Sequence, residues 1–330
     1  MLKYLKKKRA AKSSESSQKT PPLATPPKDF DPITATNADL VKYRYPPRPD
    51  KESAPNLRSL WERKVSSSPR FVTPSGKNIR NLFTNTSPKG VHQLNTVTSG
   101  FWSGALITAP PTGQKFYTIS ASWTIPMAGI PPASAYKTGV VPDGVYASIQ
   151  WVGMDGRVAA LDPGLSAGTI SFCQVQGGQV APDTQYAQAW YQWGGDETYA
   201  GIDVSAGDLV TVTVCGAAGN KEGLVILLNA TENTTSGALT VSAPPNVVVV
   251  GESVAWSLGF VSTDGDALAN YGATFFYDCL AASRNPDGSN VQEHNLTSAD
   301  ILNLVNPPAK STAVQVAPEI LMLYAYNNGP

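Results

Sequence analysis

Tyr117-Thr-Ile-Ser-Ala-Ser-Trp-Thr-Ile125 alternates along its whole length, with Tyr117, Ile119, Ala121, Trp123 and Ile125 set against Thr118, Ser120, Ser122 and Thr124. Successive side chains of a strand point to opposite faces, so this two-residue period reads as a β-strand with one face in a core. Similar runs recur at Leu209–Cys215, Leu224–Leu228, Ala238–Ser242, Val247–Val250, Ala273–Tyr277 and Leu321–Tyr326. Short strands separated by turn residues point to a sandwich or barrel rather than to βαβ units.

Composition agrees. The 330 residues are 15% charged and include 28 Gly and 27 Pro, the make-up of an all-β protein with many turns. The length fits one large domain with appendages, or two domains. Formal charge is zero overall but divided: residues 1–90 carry 19 Lys and Arg against 7 Asp and Glu, a net of +12, and the remainder carries 6 against 18, a net of −12. The chain is therefore a basic arm joined to an acidic body. An acidic body suits work at low pH, where neutralised carboxylates no longer repel one another, and it equally suits a clasp with the arm.

Within the arm, Lys3, Lys6, Lys7, Lys8, Arg9, Lys12 and Lys19 crowd the first twenty residues. Such a cluster fits a solvated disordered tail, or contact with nucleic acid or an anionic surface. No apolar run of signal-peptide or membrane-spanning length follows it, so the expectation is a cytoplasmic protein without a transmembrane segment. Phe30-Asp-Pro-Ile, Tyr43-Arg-Tyr-Pro-Pro-Arg-Pro49 and Leu57-Arg-Ser-Leu-Trp-Glu-Arg-Lys-Val65 read as two short helices flanking a Pro-rich turn. Thr36 or Asn37 caps the first helix, and Leu57, Leu60, Trp61 and Val65 form an apolar stripe on the second. The expected organisation is a disordered basic tail (1–29), a leader motif (30–74) that docks on the body or binds a partner, a linker (75–95) and a β-sandwich (96–330).

Five further stretches bear on function: Trp102-Ser-Gly-Ala-Leu-Ile107, Ser120-Ala-Ser-Trp-Thr-Ile-Pro126, Gln150-Trp-Val-Gly-Met-Asp-Gly156, Ala189-Trp-Tyr-Gln-Trp193 and Val254-Ala-Trp-Ser-Leu258. In this order and spacing they resemble the glutamic peptidases (eqolisins), secreted acid endopeptidases on a concanavalin A-like β-sandwich. The leader, with Phe30-Asp-Pro and Tyr45-Pro-Pro-Arg-Pro49, is similar to a segment that precedes some bacterial members. The resemblance implies a fold of two packed antiparallel sheets and a mechanism run by one Gln and one Glu. Here the Gln position falls on Ser166, in Gly164-Leu-Ser-Ala-Gly168, and the acid position, directly before Trp256, on Ala255. Gln192 stands where other members carry an acid, while Trp151 and Asp155 match the pattern.

The implied reading is a scaffold kept and a catalytic pair lost, with a groove of Trp102, Trp151, Asp155, Ser166, Trp190 and Gln192 that binds peptide or carbohydrate. Each Trp also reads as plain core, and Asp155 as a turn residue. An acid endopeptidase with a displaced Gln150/Glu252 dyad is the alternative, and a structural or assembly protein with a basic arm is a third. Alternation speaks against the dyad, because Gln150 opposes Ile149 and Trp151, and Glu252 shares Ala255's face only across a bulge near Gly251.

The remaining chemistry-bearing residues form no pattern. Cys173, Cys215 and Cys279 are odd in number and lack metal-ligand spacing, which implies reduced buried thiols rather than a disulfide scaffold. His92 and His294 are far apart, so no cofactor, zinc site or His-based triad is expected. Asp196 and Glu197 are neighbours that a strand would point oppositely, and Asp264-Gly-Asp266 reads as a hairpin turn. The sequons at Asn229, Asn233 and Asn295 indicate loop polarity.

Overall fold

In a computed structural model of the chain, the described residues are 26–27, 29–67, 69–72, 97–100, 102–155, 164–193, 199–200, 202–260 and 267–326. The basic tail up to residue 25, the linker at 75–95, His92, Asp196, Glu197 and the Asp264–Asp266 turn lie outside them.

The alternating runs become β1 (Trp102–Ile107), β2 (Lys115–Thr124), β3 (Gly144–Met154), β4 (Leu165–Gln176), β5 (Tyr186–Trp193), β6 (Leu209–Gly216), β7 (Glu222–Asn229), β8 (Thr234–Ser242), β9 (Val254–Gly259), β10 (Ala273–Arg284), β11 (Asp300–Asn306), β12 (Ala309–Ala317) and β13 (Ile320–Ala325). A front sheet runs β5-β4-β3-β9-β1-β11, antiparallel throughout. A back sheet runs β8-β7-β6-β2-β10-β13-β12, also antiparallel. Because β12 pairs with β11 as well, the two sheets join along one side. Val247–Val250 departs from the strand expectation. The amides of Val247, Val249 and Val250 donate to Pro244 O, Asn220 O and Asp155 Oδ2, three unrelated acceptors rather than a ladder.

Two tryptophans tie the sheets across the core. Trp256 on β9 donates its indole N–H to Ser120 O on β2 at 2.9 Å, and Trp123 on β2 donates to Thr169 Oγ1 on β4 at 2.9 Å. Both rings are fully buried, and Trp123 stacks on Phe276 at 4.8 Å between centroids. Burying an indole with its N–H paired avoids the cost of an orphaned donor.

The leader packs on the outer face of the back sheet. Its helix α1 (Asn37–Lys42) is capped by Thr36, whose hydroxyl accepts from Asp39 N at 3.1 Å. Helix α2 (Pro55–Ser66) starts with Pro, and its first free amides, Asn56 and Leu57, donate to the Glu293 carboxylate at 3.2 and 2.6 Å. Leu57 and Leu60 pack on Leu280 and Ala282 of β10, while Trp61 and Val65 pack with Leu40, Tyr43 and Tyr45 of the leader itself. Arg63 meets Asp278 at 2.8 Å, and Arg70–Phe71 adds to β8 as a short parallel strand. Beneath the leader the hydroxyl face of β2 meets that of β6 in pairs: Ser120 with Thr213 at 2.8 Å, Ser122 with Thr211 at 2.9 Å.

Cys173 and Cys279 are buried and Cys215 half-buried, all unbridged. Burial pushes the Cys173 and Cys215 thiols up to about 11 and Cys279 well above the ordinary value, so they stay protonated. No helix among the described residues is long and apolar enough to cross a membrane.

Candidate functional site

The outer face of the front sheet carries the motif residues. Directly paired residues share a face, so register alone assembles rows across it. Gly153 on β3 pairs with Ala255 on β9 and with Ser166 on β4. Ser166 pairs onward with Gln192, Ala255 with Leu106, and Leu106 with Asp300. The row is thus Asp300, Leu106, Ala255, Gly153, Ser166, Gln192. Ser166 and Ala255, read from separate motifs, stand two strand spacings apart, roughly 10 Å between backbones, with only the hydrogen of Gly153 between them.

The next row runs Gly104, Ser257, Trp151, Gly168, Trp190, and the one after it Trp102, Gly259, Ile149, Ile170, Gln188. Gly168 has to be glycine here, because a Cβ would lie 1.9 Å from Gln150 O. Trp102 and Trp151 are both part-exposed, and their rings meet edge to face with centroids 6.3 Å apart. Within these rows Gly104, Gly153, Ser166, Gly168, Ala255, Ser257 and Gly259 are small, and Trp102 and Trp151 stand part-exposed on the same face.

Trp190 shares the face but is only 2% exposed, packed among Ile149, Ile170 and Phe172. Its ring is part of a buried cluster rather than a free wall of the groove. Asp155 is likewise otherwise engaged. In a left-handed conformation (φ 59°), it accepts the amides of Val250 and Gly251 at Oδ2, at 2.8 and 3.1 Å, and that of Glu252 at Oδ1, at 2.9 Å. It clasps the loop that leads into β9, holding Ala255 in register.

The structure does not bring Gln150 and Glu252 together. Gln150 is fully buried on the core face, accepting from Thr169 Oγ1 at 3.0 Å and donating to Ser148 Oγ at 3.1 Å. Glu252 precedes β9, is 62% exposed and pairs with Lys115 at 3.2 Å. Asp300, the acid within the Ser166–Ala255 row, is two strand spacings beyond Ala255, farther than its short side chain reaches.

Two polar residues of the face escaped the motif reading. Ser253 and Ser257 flank Ala255, both buried, and their hydroxyls have no hydrogen-bond partner among the described residues. The signal was present in the alternation of Ser253, Ala255, Ser257 and Gly259 against Val254, Trp256 and Leu258, which puts all four on one face. Among the described residues no group of three His, Cys, Asp or Glu side chains is arranged to hold a metal.

Comparison with known proteins bears on this geometry. The crystal structure of scytalido-glutamic peptidase with a transition state analog inhibitor superposes with a TM-score of 0.51 at 18% identity, covering 70% of this chain and all of that one. A second complex of the same enzyme, with a peptide-based analog, gives 0.50 at 18%, with the same coverage. Aspergilloglutamic peptidase from Aspergillus niger is 23% identical over 55% of this chain and 99% of that one, at a TM-score of 0.38. No curated protein sequence matches significantly. The sequence profile of the Peptidase A4 family matches residues 100–319, from β1 to the end of β12. The chain belongs to the Peptidase A4 family, the glutamic peptidases.

Proposed function

We propose that this protein is a glutamic-peptidase homologue without peptidase activity, whose front-sheet groove holds an extended polypeptide and leaves it uncut. One observation carries the reading: Ser166 and Ala255, the positions where the family resemblance places its Gln and Glu, both pair to Gly153 and face the same way. The missing side chain of Gly153 leaves the gap in which longer residues from either side would meet over a scissile bond. Ser and Ala span it with a hydroxymethyl and a methyl group.

The chemical consequence is large. A glutamate here takes a proton from the attacking water and returns it to the leaving amine, a role typically worth ~10²–10⁴-fold. The Gln amide stabilises the oxyanion, worth ~10²–10³-fold. Ala255 transfers no proton, and the other acids near the row are turned away: Asp155 to backbone amides, Glu252 to Lys115. What remains suits binding. Trp102 and Trp151 offer part-exposed aromatic surface, and Ser166 and Gln192 line the same row.

The test is cleavage of an unfolded protein substrate from about pH 2 to 6, the range in which carboxylates titrate. The natural chain is compared with Ala255→Glu and with the double variant Ser166→Gln, Ala255→Glu. The expected result is no cleavage by the natural chain and measurable cleavage by the double variant. Cleavage by the natural chain that disappears in Glu252→Ala or Asp300→Asn overturns the proposal and identifies a relocated acid. Binding of an uncut peptide library, set beside a glycan array, decides the ligand class, and signal on the glycans alone replaces the polypeptide reading with a carbohydrate one.

A further inference from the structure

Among the described residues, Ser253 and Ser257 are the two buried hydroxyls without a hydrogen-bond partner. Both are on the outer face of β9, two residues to either side of Ala255. A buried hydroxyl left unpaired costs stability that alanine in its place would not, so its presence calls for a use. At Ser257 the surroundings explain the missing partner. Gly104 and Trp151 pair with it across the sheet, and Ala255 and Gly259 precede and follow it on the same face. None of the four carries a side-chain acceptor, and the hydroxyl proton finds none among them.

The two indoles account for a serine of the outer face being buried. Trp102 on β1 and Trp151 on β3 stand on either side of β9, in the rows of Gly259 and Ser257. Their backbones are two strand spacings apart, roughly 10 Å or more, yet their ring centroids are 6.3 Å apart. Each ring therefore leans inward over β9, and they meet above the stretch from Ser257 to Gly259. Little holds them there. Both are part-exposed, an edge-to-face contact between two rings is weak, and Gly104 and Gly259 beneath them have no side chain to pack against.

Ser166 and Ala255 flank Gly153 across the sheet, so a polypeptide passing between them runs along the strands. An extended chain turns a backbone group to the same side every second residue, which is the period of β9 itself. A carbonyl set above Ala255 is therefore followed by another above Ser257. We propose that Trp102 and Trp151 are a two-leaf cover over Ser257, that a polypeptide in the groove parts them, and that the Ser257 hydroxyl then donates to a backbone carbonyl of the bound chain. Such a contact is made to the main chain and takes no account of the ligand's side chains. The inference rests on the groove holding a polypeptide, as proposed above, and adds the residue that grips it.

The experiment uses the full chain and oxidised insulin B chain, an unfolded polypeptide, with affinity read by calorimetry and stability by urea unfolding. In Ser257→Ala affinity falls ~2–10-fold, the worth of one neutral hydrogen bond, while resistance to urea holds or rises, because the removed hydroxyl had no partner to lose. In Ser257→Cys the introduced thiol alkylates slowly, and several times faster once Trp102→Ala takes away half of the cover. A natural chain that binds no polypeptide ends the groove reading and this inference with it. Binding that Ser257→Ala leaves unchanged, or a loss of affinity matched by a loss of stability, overturns this inference and spares the groove. A thiol that alkylates no faster without Trp102 does the same.

Discussion

The two outer faces of the sandwich are built by the same alternation and end in opposite states. On the back sheet, β2 and β6 present Thr118, Ser120, Ser122, Thr211 and Thr213, yet the hydroxyls of Ser120 and Ser122 pair with those of Thr213 and Thr211, and the leader covers them. On the front sheet the equivalent positions are Ala255, Gly153 and Ser166, flanked by part-exposed Trp102 and Trp151. A polar face can be roofed at little cost when its groups satisfy one another, because no orphaned donors are created. Small residues in a row do the reverse and raise little side chain above the sheet. The covered face therefore contributes stability, the open one is the face proposed to bind, and that division is open to direct attack.

The largest expected effect is at the core between the faces. Trp256→Ala should cost about 3–5 kcal/mol in denaturant unfolding, from the cavity and from Ser120 O losing its donor. Trp102→Ala, on the open face of the same sheet, should cost no more than about 1 kcal/mol, since its ring is part-exposed. Equal losses would mean that the open face is core and would end the comparison.

Asp155→Ala comes next, at about 2–3 kcal/mol, because three backbone amides lose a charged acceptor at once. Hydrogen exchange should speed up at Val250, Gly251 and Glu252 ahead of the rest of the chain. If Asp155 serves a ligand instead, stability holds and groove binding alone suffers. On the covered face, Glu293→Ala removes the cap of α2 at a cost of about 1 kcal/mol, and amide exchange should rise through α2 but not through the front sheet. A loss spread evenly over both sheets would show that the leader is part of the sandwich rather than a cover on it.

How much of this was legible follows from the range of each signal. Alternation acts over a few residues, so β2 was plain in Tyr117–Ile125, and the same rule put Gln150 opposite Trp151, which is where it lies. Val247–Val250 has equally good strand propensity and forms none, because Asp155 and Asn220 capture its amides from distant parts of the chain. The row through Gly153 is long-range as well. Ser166 and Ala255 are far apart in sequence, and only the strand order β9-β3-β4 sets them beside one glycine. Trp190 shows the limit on the site itself. Parity assigns its face, but burial on that face depends on neighbours such as Ile149 and Phe172 that no local pattern names.

The smallest effect expected is a pH dependence where the covered face meets the core. His294 Nε2 lies 2.7 Å from Ser283 Oγ, with the ring edge-on to Phe116 at 5.2 Å. Gln114 Nε2 donates to Asn290 O at 3.0 Å, which leaves Gln114 Oε1 as acceptor for the Ser283 hydroxyl at 2.5 Å. Ser283 gives its one proton there, so the imidazole is the donor and is protonated at Nε2. Charging it means adding a proton to a half-buried ring, and burial accordingly lowers its pKa from the ordinary 6.5. The unfolded chain then binds this proton more readily than the folded one. The contribution to stability is whole above about pH 6.5, shrinks as pH falls below it, and levels off once the folded imidazole also titrates. Urea unfolding of the natural chain and of His294→Gln between about pH 7.5 and 5 should give curves that converge as pH falls, since Gln keeps an N–H donor but takes up no proton. Parallel curves would mean that His294 takes up its proton equally in the folded and unfolded chains, and a natural chain that gains on His294→Gln as pH falls would mean that the imidazole is charged in the fold.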